Sequence, residues 1–171
     1  MNWRLRHASA DDAAILSLVA GATFLEAFAG VLDGADIAAH VARHSSAEAF
    51  ARYLSQGAIA TLAEAEQGAA PLGYTLLTTP DLPVEPCPGD IELKRIYALA
   101  PTHGQGLGPA LMSQAVNDAR SAGHRRLLLG VYGGNVRAHR FYIKQGLSVV
   151  GERRVLVGAT WHDDLVFARD L

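Results

Sequence analysis

His103-Gly104-Gln105-Gly106-Leu107-Gly108 follows the strand-like, largely apolar stretch Ile91 to Pro101 and opens into a helical pattern over Pro109 to Ala122. Glycines at such a junction let backbone N–H groups come close to a phosphate, and the helix that starts there adds its positive dipole end. The stretch therefore reads as an anion cradle. A Walker loop needs Gly-Lys followed by Ser or Thr, whereas Gly108 is followed by Pro109 and Ala110, which argues against a nucleoside triphosphatase. A dinucleotide fingerprint places G-x-G-x-x-G after the first strand with an acidic residue about 20 residues on. Here a G-x-G-x-G stands past the middle of the chain.

Working outward, the chain reads as alternating strands and helices. Trp3 to His7 alternates as a strand, and Ser9 with Asp11 and Asp12 forms an N-cap region. Ala13 to Phe28 shows helical spacing at Ile15, Leu18, Val19, Ala22 and Leu25. Shorter helices are expected over Asp36 to Arg43 and over Ser46 to Leu54, the second capped by Ser45 or Ser46. Strands at Ala58 to Ala63 and Leu72 to Thr78 make a hairpin across the turn-rich Glu66 to Pro71, and Pro80 to Gly89 is a surface loop. Strands Ser148 to Val157 and Thr160 to Arg169 form a second hairpin around Gly158-Ala159. No boundary interrupts the pattern, so residues 1–171 are expected to form a single domain.

Composition limits the partners. A 50% hydrophobic fraction over 171 residues gives a core and excludes disorder, and a formal charge of −2 argues against nucleic acid. One cysteine, Cys87 between Pro86 and Pro88, forms no internal disulfide and reads as a bystander thiol. Neither a leader pattern nor an 18-residue apolar run is present, so no membrane partner and a cytoplasmic location are expected. No metal is expected either: His162 with Asp163 and Asp164 lacks a second histidine at ligand spacing.

The wider order is specific. Glu92-Leu-Lys-Arg-Ile-Tyr-Ala-Leu-Ala-Pro-Thr-His-Gly-Gln-Gly-Leu-Gly108 is followed by a helix and by the strand Arg126-Leu127-Leu128-Leu129-Gly130-Val131. Asn135-Val136-Arg137-Ala138-His139-Arg140-Phe141-Tyr142 and Gly146-Leu147 come next. This order resembles the GNAT superfamily of acetyl-CoA-dependent N-acetyltransferases, strongly over the C-terminal half. Ala22-Thr23-Phe24-Leu25-Glu26-Ala27-Phe28 fits the same superfamily more loosely. The resemblance implies an α/β protein of the α+β type: a mixed, mostly antiparallel sheet of about six to seven strands, with splayed central strands and flanking helices. It implies acetyl-CoA as cosubstrate, an amine acceptor and, by family habit, a homodimer.

The same resemblance assigns roles. Backbone groups of Ile96, Tyr97 and Ala98 would bind the pantetheine arm like an added strand. The stretch His103, Gly104, Gln105, Gly106, Leu107, Gly108 and Pro109 would take the diphosphate, with His103 standing where the family usually has Arg or Gln. Tyr142 is the candidate general acid, since a phenol with reference pKa near 10 protonates a thiolate without itself being ionised at pH 7. Asn135 caps the helix that carries Tyr142, binds the pantetheine amides, or does both. Lys144 either reaches a phosphate or stays solvated. Glu92 is the candidate base, acting directly or through water, with Lys94 where many relatives carry an acid. Phe24, Glu26 and Phe28 are expected to meet the substrate.

The first helix and Trp161-His162-Asp163-Asp164-Leu165 look like the spermidine/spermine branch, in which acids accept ammonium groups. Asp163, Asp164 and Glu26 are the candidates for that task, and Glu26 is also a second candidate base. Alternatives are an N-terminal peptide acetyltransferase or a non-catalytic acetyl-CoA sensor.

Overall fold

The computed structural model describes residues 2–171. Along the chain come β1 (Trp3–His7), α1 (Ala13–Phe28), α2 (Gly34–His44), α3 (Ala47–Ser55), β2 (Ile59–Ala65) and β3 (Pro71–Thr78). They are followed by β4 (Asp90–Ala98), α4 (Leu107–Ser121), β5 (Arg126–Tyr132), α5 (Val136–Lys144), β6 (Ser148–Val157) and β7 (Thr160–Asp170). The strands form one seven-stranded sheet in the order β1-β2-β3-β4-β5-β7-β6. β4 and β5 run parallel, joined through α4, while β1/β2, β5/β7 and β6/β7 are antiparallel. The expected α+β class and strand number hold.

Two compact units divide the chain. The first comprises residues up to Leu76 with Arg95–Ala115, and the second Leu77–Lys94 with Val116–Leu171. In the first, Leu16, Val19 and Ala20 of α1 meet Phe50, Leu62, Tyr74 and Leu76 in one core cluster. Leu107 and Leu111, one turn apart on α4, meet Ala63 and Leu72 in another, with Ile96 and Ala98 packed against it. The approach is close enough to require Gly73: a Cβ there would lie 2.6 Å from the Tyr97 carbonyl oxygen and 3.2 Å from a Leu111 methyl. In the second, Leu127, Leu128 and Leu129 of β5 are buried along with Val166 and Phe167 of β7.

Several element ends shift by one or two residues, and three differences from the sequence reading bear on packing. α4 begins at Leu107, two residues before Pro109, because a proline in the first turn loses only an N–H that has no helical partner there. On α1 the structure buries Leu16, Val19, Ala20 and Thr23 and leaves Leu18 and Leu25 65% and 55% exposed. That helix is apolar almost all round, so spacing alone does not choose its inner face. The third difference is the short 3-10 turn Ala10–Asp12 ahead of α1, closed by a capping box in which Ser9 N–H donates to Asp12 at 2.7 Å. Of the two serines offered as caps for α3, Ser46 serves, its hydroxyl accepting from Ala49 N–H at 3.1 Å.

Candidate functional site

In the first unit, the loop between β4 and α4 is tied by its own side chains. His103 Nε2 lies 2.9 Å from the Ala98 carbonyl oxygen, and because a carbonyl only accepts, this nitrogen carries the proton. Gln105 Nε2 donates to Pro101 O at 2.7 Å and Thr102 Oγ1 to Leu99 O at 2.7 Å. Gly104 and Gly106 hold φ of +79° and +85°, a region that suits glycine, and a Cβ at either would meet open space. The first helical bond beyond the loop runs from Ala110 N–H to Gly106 O at 3.1 Å. Leu107 and Gly108 therefore offer N–H groups that precede the helical ladder, and Pro109 offers none. The loop spends its side chains on itself and leaves backbone donors for an anion.

Glu26, Phe24 and Phe28 belong to the same unit. The Glu26 carboxylate accepts from Ala100 N–H at 2.9 Å, tying α1 to the turn that precedes the loop. Phe24 stacks on His40 with centroids 4.2 Å apart and lies 4.5 Å from Phe28. Burial, with the neighbouring His44 and Arg95, lowers His40 to about 4, so it is neutral at physiological pH. Tyr97 stacks on Tyr74 at 6.1 Å, and burial raises the Tyr74 hydroxyl above the usual phenol range.

In the second unit, β4 and β5 are clamped where they start. Arg126 Nε and Nη2 meet the two oxygens of Asp90 at 2.7 Å each, and Arg126 also donates to Glu85 O. Hydrogen bonding from this guanidinium holds the Asp90 carboxyl below its ordinary value. The parallel ladder runs from Asp90↔Arg126 through Glu92↔Leu128. Glu92 is buried, 3% exposed, and its Oε2 accepts from Asp81 N–H at 2.8 Å. Lys94 Nζ stands 3.9 Å from its other oxygen.

Asn135 caps α5 as expected, its Oδ1 accepting from Ala138 N–H at 3.1 Å, which leaves its amide donor for a ligand. Tyr142 is buried on α5 against Phe167, with ring centroids 5.7 Å apart, and Lys144 is exposed in the last turn of the same helix. Register assigns faces to these groups. Phe167 pairs with Leu129, so Tyr142 lies on the Leu129 face of the sheet, while Glu92 pairs with Leu128 and points to the other. The candidate acid and base thus stand on opposite faces. Gly130, Arg153 and His162, which the sequence did not mark as site residues, share the Glu92 face; side-chain periodicity alone gives no sign of them.

Similarity to known proteins agrees with this geometry. Residues 33–147 match the model of the acetyltransferase (GNAT) family. Over 160 residues, 94% of this chain and 98% of the relative, the sequence is 35% identical to an uncharacterized N-acetyltransferase of Mycobacterium tuberculosis. The PaiA N-acetyltransferase of Thermoplasma acidophilum, crystallised with coenzyme A, shares the fold with a TM-score of 0.80 at 19% identity, covering 100% of both chains. A ribosomal-protein-alanine N-acetyltransferase from Brucella melitensis does so with a TM-score of 0.72 at 21% identity, over 98% and 99% of the two chains. By class the protein is an acyltransferase. It belongs to the GNAT family of N-acetyltransferases, which use acetyl-CoA.

Proposed function

We propose that this enzyme transfers acetyl from acetyl-CoA to a primary amine of a small molecule by direct attack in a ternary complex. The observation that carries this reading is the placement of Tyr142 and Glu92 on opposite faces of the sheet, beside strands whose parallel ladder covers only three residue pairs. Such an arrangement suits a thioester approached from one face and an amine from the other.

Binding falls to the backbone. The N–H groups of Gly104, Gly106, Leu107 and Gly108 take the diphosphate, Gln105 and His103 hold the loop's shape, and backbone groups of Ile96, Tyr97 and Ala98 bond the pantetheine amides. Asn135 donates its side-chain amide to the same arm, and Lys144 meets a phosphate. Chemistry then needs the amine deprotonated, the thioester carbonyl polarised and the thiolate protonated. Tyr142 supplies the last proton. Glu92 takes the amine proton through water, since one of its oxygens already holds Asp81 N–H.

Glu26 serves the turn before the loop, through Ala100 N–H, more directly than it serves a cationic acceptor. Phe24 and Phe28 border the substrate from α1. Replacing Tyr142 by Phe is expected to lower kcat by roughly 10- to 100-fold, at the low end of what acid catalysis contributes, with acetyl-CoA affinity kept within about twofold. Thiol release and calorimetry check both quantities, and unchanged turnover would remove Tyr142 from the acid role.

A further inference from the structure

On the Glu92 face, β5 carries Leu128, Gly130 and Tyr132, paired with Ala168, Val166 and Asp164 of β7. Asp164 in turn pairs with Arg153 of β6, and His162 with Val155. Arg153 reaches across β7 and lays its guanidinium on Gly130: a Cβ at residue 130 would fall 2.7 Å from Cζ and 2.8 Å from Nη2. A larger residue at 130 would push that cation aside.

The way Arg153 is held leaves part of it open. Nε and Nη2 both lie 3.1 Å from a single oxygen, Asp164 Oδ2, so the side edge of the guanidinium is filled. The end edge, built from Nη1 and Nη2, has no partner among the described residues, and the side chain is 27% exposed. Three other guanidinium groups are more fully engaged. Arg126 is clamped on Asp90 and Glu85 O, Arg6 on Asp12 and Glu64, and Arg95 caps the end of α2 through His44 O and Ser45 Oγ while resting on Phe50. A second open group lies two residues from Asp164 on the same face: His162 Nε2 is buried without a hydrogen-bond partner, its ring edge-on to Tyr132 at 5.5 Å.

Two of the acids suggested for polyamine ammonium groups are engaged, Asp164 by Arg153 and Glu26 by Ala100 N–H, while Asp163 is exposed, 3.5 Å from Arg154. What the face offers is an open guanidinium fork edge. That edge recognises a carboxylate better than a second ammonium.

We propose that this face is the acceptor surface and that the open edge of Arg153 selects amines bearing a carboxylate. The inference rests on the acetyl-transfer reading for the role of the bound molecule, and on the geometry of Arg153 and Gly130 for its chemistry. Asp164 is a positioning residue that fixes the fork.

The test uses matched pairs as probes: L-lysine and cadaverine, L-ornithine and putrescine, L-phenylalanine and phenethylamine. Each is followed by thiol release from acetyl-CoA and by calorimetric titration of the protein saturated with coenzyme A. The expected result is a preference of about 30-fold or more in kcat/KM, or in Kd where no turnover is seen, for the carboxylate member of at least one pair, as a paired fork contact implies. Arg153→Gln alone strands the buried Asp164, so the charge-free pair Arg153→Gln with Asp164→Asn keeps the fold while removing the fork. Gly130→Ala provides an independent variant that only displaces the guanidinium. Both are expected to erase the preference, mainly through KM, with coenzyme A affinity unchanged. Equal use or equal binding of the two members of every pair, or variants that weaken both members alike, would overturn the proposal. Loss of acetyl-CoA binding in the unaltered protein would instead overturn the acetyl-transfer reading.

Discussion

The loop between β4 and α4 and the sheet face around Gly130 handle polar groups in opposite ways. Around the loop, His103, Gln105 and Thr102 each bond a backbone carbonyl within five residues, so contact with a ligand is left to main-chain N–H groups. On the sheet face, Arg153 keeps an open edge, and His162 keeps an unbonded nitrogen. Backbone donors read a phosphate and are blind to what else a molecule carries, whereas oriented side chains discriminate. In the proposed reading the loop takes the shared cosubstrate and the face chooses the acceptor.

The contrast breaks first at Gly106. Valine there must adopt φ near +85°, which costs about 1–2 kcal/mol and turns the donors of the loop. Acetyl-CoA affinity is expected to fall by 100-fold or more by calorimetry, with the acceptor preference untouched; retained affinity would show that the loop amides do not carry the cofactor.

Stability against pH sharpens the comparison within the first unit. His40 has a folded pKa of about 4 against an unfolded value near 6.5, so the unfolded chain binds more protons between these limits. Stability is then full above pH 6.5 and falls as pH drops toward 4. Thermal melts are expected to show Tm decreasing over that window, with a shallower slope in His40→Leu. An identical slope in the variant would mean that His40 is protonated in the folded state.

His103→Ala should do least. Its ring is spent on Ala98 O, so acetyl-CoA affinity is expected to change by about threefold or less, the scale of one neutral hydrogen bond. A loss above tenfold that weakens with added salt would mean that the ring reaches the diphosphate and that loop side chains also bind.

Much of this was legible in the chain, for reasons that differ by region. Glycines at 104 and 106 followed by a helix, and Asn135 at a helix start, are local signals written within a few residues, and the structure shows both. The inner face of α1 was not readable, because Leu18 and Leu25 are as apolar as Leu16 and only the tertiary fold decides which of them is covered. Nor was the Gly130 platform, since its three parts sit on three strands and meet only through the register of β5, β7 and β6. Gly73 escaped for the same reason: its role is set by Tyr97 and Leu111, far along the chain. Resemblance pointed to the loop and Tyr142, while the proposal for the Gly130 face needed coordinates.

The most direct measurement of the division between loop and face is an amide and side-chain NMR titration of the full chain with coenzyme A. The account predicts that the amide resonances of Gly104, Gly106, Leu107 and Gly108 shift most, while the Arg153 guanidinium and His162 ring signals hold still until an acceptor is added. Unmoved loop amides, or a guanidinium that responds to coenzyme A alone as strongly as they do, would contradict it.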